Sequence, residues 1–168
     1  MKNKIILDPL TGERVTYRGN KTNHVIRRKM YEINKRRYER LKAEGRCKEC
    51  MEPIDDLERS KITCTKCLDV KAAAIKRRNL KIKLEAMEHY GGAVCANCGL
   101  TGHIFLTFDH IANNGAIHRR EDPTVKAGMA KWLRRNNYPE GYQVLCWNCN
   151  MGKQLNGGVL PTYGRTDS

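Results

Sequence analysis

The sequence has few of the residues from which a large hydrophobic core is built. Aromatic residues make up only 7% of its 168 residues, and no apolar run approaches the length of a membrane-spanning helix. Only three apolar residues follow residues 1–4 before Asp8 and Pro9, so we expect no secretory signal, no membrane association and a cytoplasmic location. Small units of this composition usually need metal ions or disulfides for stability.

Acidic residues are scarce relative to basic ones. The sequence has 18 aspartates and glutamates and 32 lysines and arginines, which gives a formal net charge of +14. This excess favours a polyanionic partner, most readily nucleic acid, over a merely soluble basic protein. The charge is uneven along the chain. Residues 1–90 hold 24 basic and 13 acidic residues, whereas residues 91–168 hold 8 and 5. We therefore expect the first half to provide most of the electrostatic attraction to nucleic acid.

The eight cysteines form four Cys-x-x-Cys pairs, with none left over. In a chain without a secretory signal this pattern favours zinc over disulfides or unmetallated thiols. Two pairs separated by thirteen residues predict one closed, structural four-thiolate site, made by Cys47, Cys50, Cys64 and Cys67. The other two pairs, separated by 47 residues, predict a second zinc site, made by Cys95, Cys98, Cys146 and Cys149. Zinc sites that combine cysteine pairs from both groups are a less simple alternative.

Two basic helices are predicted in the first half. One is capped by Thr22 or Asn23 and stopped by Gly45, and the other runs over residues 68–90. Their basic side chains are either solvated helix faces or, as their density favours, contacts to nucleic-acid phosphates. The residues expected to make these contacts are Arg27, Arg28, Lys35, Arg36, Arg37, Arg40, Arg77 and Arg78.

The remaining patterns predict an α+β chain in four parts. Residues 1–20 form a hairpin or tail, with strands flanking a Pro- and Gly-containing turn within residues 5–17. Residues 21–90 form a DNA-binding part, which holds the first basic helix, the zinc ribbon at 47–67 and the second basic helix as a linker to the next domain. Residues 91–156 form a second zinc-bearing domain, and residues 157–168 form a tail.

Within the second domain we predict a strand over residues 105–111, a loop over 112–123 and a helix over 124–135. A second strand follows over 142–145, and a helix begins after Cys146.

This second domain resembles the HNH endonucleases, whose fold is the ββα-metal or His-Me finger, in the zinc-bearing form common among bacteriophages. The matching pieces are His89-Tyr90-Gly91-Gly92, Asp109-His110-Ile111, Gly115-x-x-His118-Arg119, and Tyr142-Gln143-Val144-Leu145-Cys146-Trp147-Asn148-Cys149-Asn150-x-x-Lys153. They span roughly residues 89–155, which is less than half of the chain. If the gene is carried by a phage, the location would be the cytoplasm of a bacterial host.

The resemblance implies a role for each matching polar residue. His110 stands in the position of the general base, and Asp109 and Asn150 match the two oxygen ligands of a divalent cation such as Mg²⁺. His118 would contact the scissile phosphate or join the cation shell, or else be an exposed loop histidine, and Arg119 would hold a phosphate oxygen. Lys153 would face the DNA backbone.

The sequence departs from the family at one position. The asparagine that usually orients the base falls near Gly141 and Tyr142, and Asn136, Asn137 and Gln143 remain open as substitutes.

The sequence thus predicts a DNA endonuclease with two structural zinc ions and one catalytic divalent cation. The main alternative is a non-catalytic zinc-ribbon protein that binds nucleic acid as a regulator or as a component of an assembly. Asp109, His110 and Asn150 occurring together favour the enzyme.

Overall fold

The computed structural model of the chain describes residues 4–7, 12, 14–17 and 24–162. Its elements in chain order are strands β1 (Lys4–Leu7) and β2 (Arg14–Tyr17), helices α1 (His24–Ala43) and α2 (Thr65–His89), strand β3 (Leu106–His110), helix α3 (Gly115–Glu121), a 3-10 helix (Pro123–Ala127), helix α4 (Met129–Arg135), strand β4 (Tyr142–Cys146) and helix α5 (Trp147–Leu155). The chain forms two compact units, Met1–Ala73 and Ala74–Ser168. The division falls within α2.

In the first unit, β1 and β2 pair antiparallel, with Lys4 opposite Tyr17 and Leu7 opposite Arg14. The expected turn between them lies largely outside the described residues, as do both expected caps of α1. Helix α1 ends at Ala43, just before Gly45, whose φ of +62° is the left-handed conformation common after helix ends.

The first Cys-x-x-Cys pair of each group makes the same tight turn. The N–H of Cys47 and that of Cys95 each donate, over 2.8 Å, to the carbonyl oxygen five residues further on. Each of these cysteines also accepts a 2.9 Å hydrogen bond from the N–H four residues on, which belongs to Met51 or Gly99. Both donors have positive φ, +67° at Met51 and +75° at Gly99. The second turn therefore has a glycine where its conformation favours one, whereas the first tolerates a methionine.

The second pair of each group lies at the start of a helix. Cys64 directly precedes α2 and Cys67 is its third residue, while Cys146 directly precedes α5 and Cys149 is its third residue. The two units thus repeat one frame, a tight turn followed by a helix amino terminus. They differ in what lies between the two halves of that frame.

In the second unit, β3 and β4 form an antiparallel pair in which Asp109 lies opposite Gln143 and His110 opposite Tyr142. The core beneath this pair is small and includes three of the cysteines. Its buried members are Met87, Cys95, Leu106, Val144, Leu145, Cys146 and Cys149. Because Met87 belongs to this core, the carboxy-terminal part of α2 packs within the second unit and is not only a linker.

The segment between the two strands is more helical than its sequence predicts. The loop expected over residues 112–123 contains α3, so that prediction is wrong. The single helix expected over residues 124–135 is divided at Gly128, whose φ of +123° separates the 3-10 helix from α4. Asp122 caps the 3-10 helix, because one carboxylate oxygen accepts from the N–H of Thr124 over 2.9 Å.

Candidate metal centres and active site

The structure brings the eight cysteines together in the two groups expected from their spacing. Within each group all four sulfur atoms lie within 4.8 Å of one another. The Sγ atoms of Cys50 and Cys64 are 3.6 Å apart, and those of Cys98 and Cys146 are 3.7 Å apart. A tetrahedral zinc ion with Zn–S bonds of about 2.3 Å separates its ligands by about 3.8 Å, whereas a disulfide would need about 2.05 Å. The two groups therefore fit two structural zinc sites.

The pKa values of the thiols depend on burial, on backbone N–H groups and on the neighbouring sulfur atoms. Burial raises the pKa of Cys47, but backbone N–H groups, first that of Cys50, outweigh it and lower the pKa to about 6. The same balance lowers the pKa of Cys95 to about 7. In contrast, the neighbouring Cys64 side chain and then burial raise the pKa of Cys67 to about 12, and burial raises that of Cys146 to about 12. The thiols whose pKa is raised would ionise readily only beside a cation that offsets the repulsion between neighbouring thiolates.

Candidate catalytic residues of the second unit lie around one cavity of about 290 Å³. It lies between the end of β3, the start of α3 and the middle of α5, and Asp109, His110 and Asn150 all line it. The other lining residues are Phe108, Asn113, Gly115, Ala116, Arg119, Met129 and Gln154.

Two side-chain oxygens at this cavity have capacity for a further ligand. The Oδ1 atom of Asn150 is shielded from solvent and has no hydrogen-bond partner. The Asp109 carboxylate accepts from Gln143 Nε2 (2.7 Å) and Lys153 Nζ (2.6 Å), and both bonds use Oδ2, not Oδ1. A shielded acceptor without a partner costs about 1–3 kcal/mol. A carboxylate and an amide oxygen beside one cavity suit a hard divalent cation, which would satisfy this acceptor.

The imidazole of His110 is held in a largely buried position, with 7% of the residue exposed. Burial and then the charge of His118 lower its pKa below the ordinary value of 6.5, while Asp109 acts in the opposite direction. The ring is therefore neutral near pH 7. A Cβ atom placed on Gly115 would lie 3.0 Å from His110 Nδ1, so a glycine here keeps that nitrogen accessible from the cavity side.

His118 lies beside His110 but does not line the cavity. Its Nδ1 atom is 2.8 Å from His110 Nε2 and 3.3 Å from the hydroxyl oxygen of Tyr142. The Trp132 ring packs edge-on against it, with the ring centroids 4.3 Å apart. Trp132 is fixed in turn, because its Nε1 donates to Asp122 over 2.6 Å. His118 is thus part of a packed cluster and is not an exposed loop histidine.

The expected position of Lys153 on a DNA-facing surface is wrong. Only 2% of this residue is exposed, and its ammonium group donates to Asp109 Oδ2 (2.6 Å), the carbonyl of His110 (2.6 Å) and that of Ile111 (3.1 Å). Three acceptors at the end of β3 satisfy the charge within the protein. Lys153 therefore links α5 to β3 and cannot contact a phosphate.

None of the three possible substitutes for the missing asparagine has a side-chain hydrogen bond to His110 in the described structure. Gln143 binds Asp109, and Asn136 donates to the carbonyl oxygen of Trp132. Asn137 lies beyond α4, with a φ of +56°. The contact to His110 comes instead from His118, a role that sequence alone did not assign.

The basic residues expected at phosphates are mostly exposed. Arg119 is exposed and also lines the cavity, whereas Arg40 is half-buried and its Nε lies 3.8 Å from a carboxylate oxygen of Glu44. The exposed members on α1 and α2 are Arg27, Arg28, Lys35, Arg36, Arg37, Arg77 and Arg78.

The first cysteine group differs from the second in the residue that follows its last cysteine. The residue after Cys67 is Leu68, in the place that Asn150 occupies after Cys149. Residues 51–63 connect the two cysteine pairs through turns, and none of the strands of the structure lies among them. The first unit thus has the same metal-binding frame, with leucine in place of the amide side chain.

Comparisons with models of known protein families, with curated proteins and with solved structures found no match to this chain. Among the described residues, no helix is both long and apolar enough to cross a membrane.

Proposed function

We propose that the protein is a divalent-metal-dependent endonuclease that hydrolyses DNA phosphodiester bonds. The observation that carries the proposal is the shielded, unpartnered Oδ1 of Asn150 beside the same cavity as Asp109 and His110. An oxygen ligand pair next to a neutral imidazole is the minimal set for metal-assisted hydrolysis of a phosphodiester. The resemblance to HNH endonucleases supports the same assignment.

Asp109 and Asn150 would hold the cation. Oδ1 of Asp109 remains for it because Oδ2 is engaged by Lys153 and Gln143. When bound, a hard cation such as Mg²⁺ would stabilise the charge that develops on the phosphate and on the leaving oxygen.

His110 would act as the general base. In its neutral form the ring accepts a proton from the attacking water, whose oxygen forms the new bond to phosphorus as the bond to the leaving oxygen breaks. Its lowered pKa keeps it unprotonated near pH 7. Arg119, at the edge of the cavity, would donate to a phosphate oxygen and orient the bond to be cut.

Helices α1 and α2 would provide electrostatic contact with the DNA backbone. Their exposed basic residues carry phosphate-binding groups and no evident set for reading base edges, so these contacts would fix the position of the duplex without selecting sequence. The first unit would contribute binding only, because Leu68 replaces the amide ligand there.

The test is cleavage of plasmid DNA by the zinc-loaded protein, with and without Mg²⁺. His110→Ala should abolish Mg²⁺-dependent cleavage while DNA binding in a gel-shift assay is retained. His103→Ala, which changes a histidine that does not line the cavity, should cleave like wild type.

A second pair of variants tests the cation ligand. Asn150→Ala should lose cleavage and its response to Mg²⁺. Asn148→Ala, at an exposed position of the same helix, should keep both. If wild type and His110→Ala bind DNA equally and neither cleaves it, the non-catalytic zinc-ribbon alternative is favoured.

A further inference from the structure

We infer that His118 is the positioning residue for His110, and that it takes the place of the orienting asparagine that the sequence lacks. The inference rests on the proposed function, because it assigns how the general base of that reaction is held. It rests on the 2.8 Å approach of His118 Nδ1 to His110 Nε2.

The two nitrogens of His110 have different surroundings. Its Nδ1 lies on the side of Gly115, which lines the cavity, and its Nε2 lies against His118 Nδ1, outside the cavity lining. A neutral imidazole has one proton, so Nδ1 can accept a proton from water only when the ring proton is on Nε2. An acceptor facing Nε2 stabilises that tautomer, and Nδ1 of His118 is in place to be this acceptor.

The surroundings of His118 fix its own orientation. The indole of Trp132 packs against one side of the ring, and the hydroxyl oxygen of Tyr142 lies 3.3 Å from the same Nδ1 atom. The indole is tethered by its 2.6 Å hydrogen bond to Asp122, at the amino terminus of the 3-10 helix. This order makes His118 a rigid partner and not a mobile side chain that meets His110 by chance.

The contact from His118 also accounts for the missing asparagine. The orienting contact is made from α3, not from the start of β4, where Tyr142 lies opposite His110 and packs its ring 4.8 Å away between centroids. Helix α3 is therefore the element that completes the site, and its presence in a segment expected to be a loop has a functional reason.

The first test does not depend on cleavage. Nitrogen chemical shifts of ¹⁵N-labelled histidine report the tautomer of each ring, measured on zinc-loaded protein without added DNA. His110 should have its proton on Nε2 in wild type. In His118→Phe, which keeps a packed ring but removes the acceptor, it should shift towards the other tautomer. An unchanged His110 tautomer in His118→Phe overturns the inference.

The second test uses kinetics. His118→Phe should lower kcat by about a hundredfold with little change in KM, the size expected when a general base is misoriented. His118→Gln, whose amide oxygen can accept from Nε2–H, should recover a large part of that loss. If both variants cleave like wild type, or if His118→Gln is no better than His118→Phe, His118 does not position the base.

The two tests separate failure of the inference from failure of the proposed function. A tautomer shift in His118→Phe with no cleavage by wild type supports the positioning contact and contradicts the nuclease. Cleavage by wild type with no effect of His118→Phe on either measurement supports the nuclease and contradicts the positioning role. Zinc content and circular dichroism confirm that each variant folds, and His118→Leu, which also removes the acceptor, replaces His118→Phe with the same expected results if the latter does not.

Discussion

Lys153 Nζ and Asp109 Oδ2 lie 2.6 Å apart in the interior of the second unit, with residue exposures of 2% and 6%. The ammonium group also donates to the carbonyl oxygens of His110 and Ile111, so one side chain of α5 holds three groups at the end of β3. The ion pair thereby engages Oδ2 of Asp109 and leaves Oδ1 as the oxygen that the proposed cation would use.

Replacing Lys153 by methionine should destabilise the protein by about 3–5 kcal/mol, because Asp109 and two carbonyl oxygens would lose a buried partner. Urea unfolding of the zinc-loaded protein measures this. Lys126→Met, at an exposed position, should change stability little. In the double variant with Asp109→Asn the loss should be smaller than the sum of the single losses. Independent, additive effects would show that the pair does not act as a unit.

Gly115→Ala should abolish cleavage with little effect on stability. The added methyl group would lie 3.0 Å from Nδ1 and 3.4 Å from Cε1 of His110, on the cavity side of the ring. Gly115 is the first residue of α3 and its φ is not positive, so alanine costs no backbone strain. Ile117→Ala, an exposed change in the same helix, is the matched control. Normal cleavage by Gly115→Ala would mean that water does not approach His110 from this side.

Cys47→Ser and Cys149→Ser should each remove one of two bound zinc ions, because each changes a different four-cysteine group. Cys149→Ser should also abolish cleavage, since the loss disorders α5 next to Asn150. Cys47→Ser should weaken DNA binding and leave the second unit folded. Atomic emission gives the zinc content, and loss of both ions in either variant would contradict two independent sites.

The acid limb of the pH–rate profile should lie below pH 6.5. Burial, and then His118, lower the pKa of His110 below that value, so the base stays neutral as the pH falls through the range in which an ordinary histidine is protonated. A nearby divalent cation would lower it further. The measurement is kcat/KM against pH, and an acid limb above 6.5 would contradict His110 as the base.

The same shift affects stability. The unfolded chain takes up a proton near pH 6.5 that the folded His110 accepts only at lower pH, so this residue makes folding less favourable as the pH falls below 6.5. The contribution of His110 to the free energy of unfolding is fully present above pH 6.5. His110→Gln should therefore lose less stability than wild type on acidification from pH 7 to just below 6.

DNA binding should depend on salt through α1. Replacing Arg28, Lys35 and Arg37, which are exposed, by glutamine should lower the slope of log affinity against log salt by roughly 0.9 for each phosphate that is no longer neutralised. Asn34→Ala, an exposed neutral change in the same helix, should leave the slope unchanged. A slope unaffected by the triple change would show that other residues make the electrostatic contacts with DNA.

The cysteine groups could be predicted because four Cys-x-x-Cys pairs allow few closed tetrahedral arrangements. The strands and α5 could be predicted too, from short apolar runs and the cysteines that bound them. Helix α3 could not, since none of its residues is buried and Asn113, Asn114 and Gly115 favour a turn. A seven-residue helix without an apolar face leaves no periodic signal.

The partners of Lys153 and His118 could not be predicted for a different reason. A lysine is usually exposed, and only the fold brings Asp109, His110 and Ile111, more than forty residues away in sequence, around its ammonium group. The contact of His118 with His110 likewise depends on where α3 packs. Local sequence indicates candidate site residues, whereas their partners are set by the tertiary structure.

Consecutive residues of α5, Cys149 and Asn150, have side chains of opposite ligand character. Cys149 belongs to a set of four polarisable sulfur ligands, which select zinc, whereas Asn150 would offer an amide oxygen beside a carboxylate, which selects magnesium or manganese. Ion selectivity at these neighbouring positions would follow from softness and hardness alone, without a metal-delivering partner. A mild oxygen-preferring chelator should therefore inhibit the protein reversibly, long before a thiophilic reagent such as a mercurial unfolds it.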